Sequence, residues 1–199
     1  MTQECDRVNF FIYVCHMKET KNQILLSAIT IWGKNLAATL DDIASHTGIS
    51  RRTLHRHYSG RDDLMYSVFN FIIDEYLTQL NLTIQNTPCD IEKLKAFLQF
   101  DIFSSKKYLV FCQLRKVEFT DIETENENFK EMYSKYVDLF KRLQDEQKIS
   151  KDLSLQWVEI FYLAVVEASD KMMDSGVSKE DCFKMAWWSL WNGIKSDNQ

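Results

Sequence analysis

A chain of 199 residues that holds one proline and five glycines has few places to turn. Tight turns draw on Gly and Pro, and an all-β sandwich or barrel needs a turn roughly every 8–12 residues. The scarcity predicts an all-α fold of long helices joined by short loops. Apolar residues make up 45% of the chain and aromatics 13%, enough to bury a sizeable core and too much for a disordered chain.

Helical periodicity agrees. Ile24, Leu25, Ala28, Ile29 and Trp32 recur at the spacing of one helix face, which predicts a helix over Asn22–Trp32 that Gly33 can end. Thr39 with Asp42 three positions on is a capping-box pattern for a second helix, with Leu40, Ile43 and Ala44 as its buried stripe and Gly48 as its stop. Ser50 can cap a third helix, from Arg51 to about Tyr58. A fourth runs from Asp62 towards Asn86, with acids in its first turn, where the helix dipole favours them. Beyond Pro88, helical patterns span Asp90–Phe103, Ser104–Phe119, Asn128–Gln147, Ser154–Gly176 and Ser178–Ile194, and an acidic connection, "DIETENEN", precedes the third of these.

Charge is distributed unevenly. From His46 to Arg61 the chain carries four arginines, three histidines and no acid, although its net charge is −5. Residues 1–66 hold eight Lys/Arg against seven Asp/Glu (net +1), and residues 67–199 hold sixteen against twenty-two (net −6). Attraction to a polyanion is thus confined to one end. The second and third helices, joined by "HTGIS" with a Gly in the turn, have the form of a helix-turn-helix. On a helical wheel Leu54 and Tyr58 share the inward face, Arg52, Thr53, Arg56 and His57 fall on the other side, and Arg51 and His55 lie at the border. In this motif the N-terminal end of the second helix enters the DNA major groove, where Arg can pair with guanine and Thr can meet a thymine methyl. Arg61, at the start of the fourth helix, is placed to meet a phosphate. A basic hairpin without any partner is the plainer alternative. His55 and His57 are about 200° apart on the helix and cannot share a metal ion, so no metal is expected.

Residues Ile24 to Leu64 resemble the DNA-binding domain of the TetR family of bacterial transcriptional regulators. The resemblance rests on Ile24, Leu25, Ala28 and Trp32 and on "TLDDIASHTGISRRTLHRHYSGRDDL". It implies that Thr39 contacts a phosphate and that Ser50, Arg51, Arg52 and Thr53 lie at the DNA. By the same resemblance His55 stands where the family has a phosphate-binding Tyr, His57 is a DNA contact, and Arg61 replaces a phosphate-binding Lys. Arg52 departs from the small residue usual there, and the connection from Trp32 to Leu40 is about two residues shorter than the family's spacing. The implied organisation is an extension over residues 1–18, a helix-turn-helix domain over 19–66, and a helical body over 67–199 for dimerisation and ligand binding. Whether residues 1–16 belong to the native protein stays open. The implied function is a repressor that binds an inverted-repeat operator as a homodimer and is released by a small hydrophobic or aromatic effector. A helical adaptor or ligand-binding protein with a vestigial DNA motif is the alternative.

In the body, Phe97, Phe100, Phe103, Tyr108, Phe111, Cys112, Phe119, Phe129, Tyr133, Tyr136 and Phe140, with Trp157 and Phe161, supply an aromatic interior in which a ligand pocket can lie. The last two helices carry more large apolar side chains than one hairpin buries. Among these Val165, Met172, Phe183, Trp187, Trp188 and Trp191 suit a four-helix dimer interface, with an intramolecular core as the alternative. Catalysis is not expected. All four histidines lie within the first 57 residues, which leaves the body no His general base, and no phosphate-cradling Gly loop occurs. No cofactor is expected. Five cysteines without a CxxC pair read as reduced thiols of a cytoplasmic protein. The apolar run Val8–Met17 is far short of the roughly 20 residues that a membrane span needs.

Overall fold

The computed structural model describes residues 19–117 and 126–196. The expected extension over 1–18 and Phe119 lie outside them. Among the described residues the fold is all-α. Helix α1 covers 19–32, α2 Leu40–Thr47, α3 Arg51–His57, α4 Arg61–Asn86, α5 Asp90–Phe103, α6 Ser105–Val117, α7 Glu127–Asp145, α8 Leu155–Asp174 and α9 Lys179–Ile194. The chain divides within α4 into two compact units, one up to Phe71 and one from Ile72.

The first unit is shaped by local signals. Thr39 is the N-cap of α2: its hydroxyl accepts the Asp42 N–H at 3.2 Å, and Asp42 accepts the Thr39 N–H at 2.8 Å. That closes a capping box and satisfies two orphan donors at once. Gly48 ends α2 in the left-handed region (φ 74°), and the next N–H, that of Ile49, turns back to the Ala44 carbonyl at 3.0 Å. Ser50 caps α3 by accepting the Thr53 N–H at 3.1 Å. Ile24, Ala28 and Trp32 of α1, Ile43 of α2, Leu54 of α3, and Tyr58 and Leu64 beyond it are buried. Leu40, expected in the buried stripe, is only half-buried.

In the second unit α5 is the hub. It packs against α6, α7, α8 and α9, while α8 also contacts α6, α7 and α9. Leu94, Phe97, Leu98, Asp101 and Ile102 form its buried stripe. Ion pairs tie the surrounding helices: Asp90 to Lys93 and to Arg142 of α7, Lys107 of α6 to Glu75 of α4, and Lys106 of α6 to Asp170 and Asp174 of α8. The α7–α8 connection pairs with the end of α9 through Ser150 N–H to Ile194 O (2.8 Å) and Ser196 N–H to Lys148 O (3.1 Å). Ser154 and Ser178 cap α8 and α9, and Gly176 (φ 93°) follows α8.

Gly48 and Gly60 give a matched test. A Cβ at either meets nothing within 4 Å, but only Gly48 has a left-handed backbone. Gly48→Ala should cost about 1 kcal/mol in urea denaturation, and Gly60→Ala should change stability little.

Candidate functional site

The outward face of α3 carries exposed Arg51, Arg52, His55 and Arg56. Arg51 donates to Asp41 of α2 at 3.1 Å and towards His55 Nε2 at 3.4 Å. Both partners of the Arg51–Asp41 pair are largely solvated, so the pair is weak and can be exchanged for a phosphate or a base. Arg52 and Arg56 make no ion pair among the described residues. The hydroxyls of Ser50 and Thr53 lie 2.9 Å apart, tied into the cap. Thr39 Oγ1 donates to Asp42 at 2.8 Å. These caps hold the N-terminal ends of α2 and α3 in place.

Two residues take up positions that the sequence did not suggest. His57 is half-buried, and its Nε2 is enclosed without a hydrogen-bond partner among the described residues. Its position about 60° round the helix from buried Leu54 accounts for this. Burial first, then the charges of Arg56 and Lys21, push the imidazole pKa below its ordinary value. The enclosure thus favours the neutral ring over the imidazolium. Arg61 turns its guanidinium inward. It donates to Ala38 O at 2.6 Å and to Leu36 O, and stacks over the Trp32 ring at 5.1 Å. Trp32 Nε1 also donates to Ala38 O (3.2 Å). The Arg61 side chain thus fastens the α1–α2 connection directly before Thr39.

In the second unit an aromatic cavity of about 100 Å³ lies among α4, α5, α6, α7 and α8, several times what one water needs. Tyr108, Phe111, Cys112, Phe129, Tyr133, Tyr136 and Phe140 line it. So do Ile72, Tyr76, Asp101, Met132, Glu159, Tyr162 and Leu163, which sequence reasoning missed. Tyr133 and Leu163 are also exposed, so the cavity opens beside them. Phe97, Phe100, Phe103, Trp157 and Phe161 do not line it. Phe97 is core and packs behind Tyr136 at 5.2 Å. Phe100 meets Tyr76 edge-on at 4.9 Å, and Phe103 lies under the Lys179 ammonium. Trp157 is exposed, and Phe161 occupies the space beside Gly193 of α9.

Asp101 is the chemical centre of this cavity. It is 2% exposed and accepts the Tyr162 hydroxyl at 2.5 Å and the Tyr136 hydroxyl at 3.0 and 3.1 Å. Burial pushes its carboxyl up to about 7, against the opposing pull of the two tyrosine hydrogen bonds. Tyr76 Oη is buried in the same wall without a hydrogen-bond partner among the described residues. The phenols of Tyr76, Tyr136 and Tyr162 are pushed well above their ordinary value, chiefly by burial and then by the charge of Asp101, so they remain donors.

Of the expected interface residues, Val165 is buried within the protomer. Phe183, Trp187 and Trp191 are half-buried, the two tryptophans stacked at 5.4 Å. Met172 and Trp188 are exposed, Trp188 to 69%, and so are Ile160 and Met185, which the sequence reading did not single out.

A helix-turn-helix with an outward cationic face, followed in the chain by an all-helical unit, is an architecture found in DNA-binding regulators. Residues 32–68 match the family model of "Bacterial regulatory proteins, tetR family". A search of curated proteins gives no match. Among solved structures, the chain is similar to a TetR family transcription regulator from Marinobacter aquaeolei VT8 (TM-score 0.71, 12% identity, covering 90% of this chain and 97% of that one). It is also similar to the ketosteroid transcriptional regulator KstR2 of Mycobacterium tuberculosis (0.68, 15%, 89% and 95%) and to the TetR-like regulator LfrR from Mycobacterium smegmatis in complex with proflavine (0.68, 18%, 90% and 98%). Residues 32–68 thus match the family's DNA-binding domain, and the chain shares the fold of TetR-family regulators. No helix among the described residues is long and apolar enough to cross a membrane.

The raised carboxyl of Asp101 gives a stability signature. A group that binds its proton more tightly when folded stabilises fully below its unfolded value, here 3.8, and that stability is lost as pH rises through about 7. Asp101→Asn removes the titration. In denaturant melts the variant should gain on the wild type between pH 4 and 8, by up to about 4 kcal/mol. A constant difference over that range would contradict the assignment.

Proposed function

We propose that this chain is a ligand-responsive repressor of the cytoplasm, which binds an inverted-repeat operator as a homodimer and leaves it when a small hydrophobic or aromatic molecule fills the cavity of the second unit. The carrying observation is the outward face of α3, where Arg51, Arg52 and Arg56 stand exposed next to the capped helix start. In a helix-turn-helix that end reads base edges, so Arg51, Arg52 and Thr53 are its candidate readers, with His55 and Arg56 beside them. Helix α4 runs through both units and supplies Arg61 to the first and Ile72 and Tyr76 to the cavity wall of the second. That LfrR is in complex with proflavine supports an aromatic effector for a cavity walled by rings. An adaptor with a vestigial motif would bind no DNA in the selection of genomic fragments, with and without candidate small molecules, that tests this reading.

The arginines should divide by role. With Arg61 occupied by the loop carbonyls, two or three cations per subunit remain for phosphates. The slope of log K against log salt should then be about −4 to −5 for a dimer, at about −0.9 per phosphate. Arg56→Ala should flatten that slope by about 2 per dimer at all sequences, while Arg52→Ala should relax base preference at a cost of about 1–3 kcal/mol per half-site. Arg61→Ala should instead cost the folded domain about 1–3 kcal/mol, because two carbonyls lose a charged donor. Gel shifts across a salt series, with thermal melts of each variant, separate the three.

The dimer surface is proposed on the exposed apolar residues of α8 and α9, with Trp188 and Met185 near its centre. Trp188→Glu would bury an unpaired charge there. Light scattering at micromolar concentration should give twice the monomer mass for the wild type and a shift to monomer for the variant. A monomeric wild type would refute the dimer.

A further inference from the structure

We propose that the effector of this cavity is an organic monocation, a protonated amine or amidine on an aromatic or apolar body, with Asp101 as its counter-ion. This rests on reading the cavity as the effector site. Four observations converge on it. The charged side chains lining the cavity among the described residues, Asp101 and Glu159, are both acidic. Asp101 has hydroxyl partners only: Tyr136 and Tyr162 donate to it, and no Lys or Arg forms an ion pair with it among the described residues. Lys107 of α6 is paired with Glu75 of α4. Tyr76 adds a buried hydroxyl with no hydrogen-bond partner among the described residues, and the walls are rings.

A buried carboxylate without a counter-charge is costly, and a cation placed beside it supplies what the fold withholds. Aromatic faces stabilise the same cation through their quadrupoles. Glu159, which accepts the Tyr133 hydroxyl at 2.9 Å on the open side, adds attraction of the same sign. An anionic effector would meet two acids and no base. A neutral one would leave Asp101 near its midpoint, where burial has pushed it to about 7. Cation binding pulls that carboxyl down and releases a proton. Among the described residues, the other ionisable groups that line the cavity are Tyr76 of α4, Tyr108 and Cys112 of α6, Tyr136 of α7, and Glu159 and Tyr162 of α8, with Glu75 beside Tyr76. The phenols lie far above neutral pH, and burial has pushed the Asp101 carboxyl to about 7, inside the range from pH 6 to 8.

The test uses the full chain and three probes that share one ring system: 2-naphthylmethylammonium, 2-naphthylmethanol and 2-naphthylacetate. Calorimetry at pH 8 should rank the cation at least tenfold tighter than the alcohol, with the anion weakest. At pH 6.5, titrations in two buffers of different ionisation enthalpy should show proton release on binding the cation and none on binding the alcohol. Asp101→Asn, which keeps the side-chain shape, should lower cation affinity at least tenfold, leave the alcohol within about threefold, and abolish the proton release. If the alcohol or the anion binds as tightly as the cation, or the cation binds without proton release, the charge assignment is wrong while the cavity remains a ligand site. If none of the three binds at millimolar concentration, the effector-site reading falls and this proposal falls with it. The wild-type ranking and proton count decide the matter even where the variant folds poorly.

Discussion

Helix α5 is covered by α6, α7, α8 and α9, and that enclosure governs what the second unit can do. A helix packed on so many sides must be apolar round most of its circumference or satisfy each polar group it buries. Leu94, Phe97, Leu98 and Ile102 meet the first condition. Asp101 meets the second only in part. Two tyrosine hydroxyls from α7 and α8 satisfy its lone pairs, but hydroxyls carry no positive charge. The result is a carboxyl held between its charged and neutral forms at the edge of a cavity. Among the described residues that line the cavity, Asp101 is the deeply buried acid, and Leu at 101 would remove it. The proposed cationic effector supplies the counter-charge that the two hydroxyls do not.

The first unit depends on constraints of shorter range. Its recognition helix is seven residues long, too short to persist by propensity alone. It is held by the Ser50 cap at one end and by Leu54 and Tyr58 buried in the body of the unit. Arg61 then joins the start of α4 to the connection before α2 across 23 and 25 residues of sequence. By stacking on Trp32 and donating to two carbonyls it fastens that connection. The guanidinium supplies a donor for carbonyls that lie outside any helix.

What was legible in the sequence follows the range of the interactions. Helix ends at Thr39, Gly48, Ser50, Ser154, Gly176 and Ser178 were readable because a cap is decided within about four residues. The inward pair Leu54 and Tyr58 was readable from periodicity, whereas His57, expected on the outward side, lies about 60° from Leu54 and its ring is half-enclosed. Asp101 left a local trace, an acid in register with Phe97 and Leu98. Its meaning depends on Tyr136 and Tyr162, 35 and 61 residues away, and no spacing rule joins them. For the same reason Phe97, Phe100 and Phe103 could be recognised as interior but not assigned to cavity or core. That choice is made by which helix each ring meets, Phe97 against α7, Phe100 against α4 and Phe103 beneath the first residue of α9.

The charge asymmetry of the chain has a counterpart in the two sites. Residues 1–66 are net +1, and three of their eight Lys/Arg stand on one short helix with no acid of its own, where Arg52 and Arg56 have no acid paired to them among the described residues. The body is net −6, and its cavity is acidic as well. A polyanion is drawn to the first and turned away by the second, while a small organic cation faces the opposite preference. On the proposed reading, one chain receives two ligands of opposite charge at two separate sites. Such separation is what a regulator needs if an effector is to alter DNA binding from a site of its own. It also limits how the effector can act: an influence on α3 has to come from a difference in its affinity for two arrangements of the protein, not from occupying the DNA site.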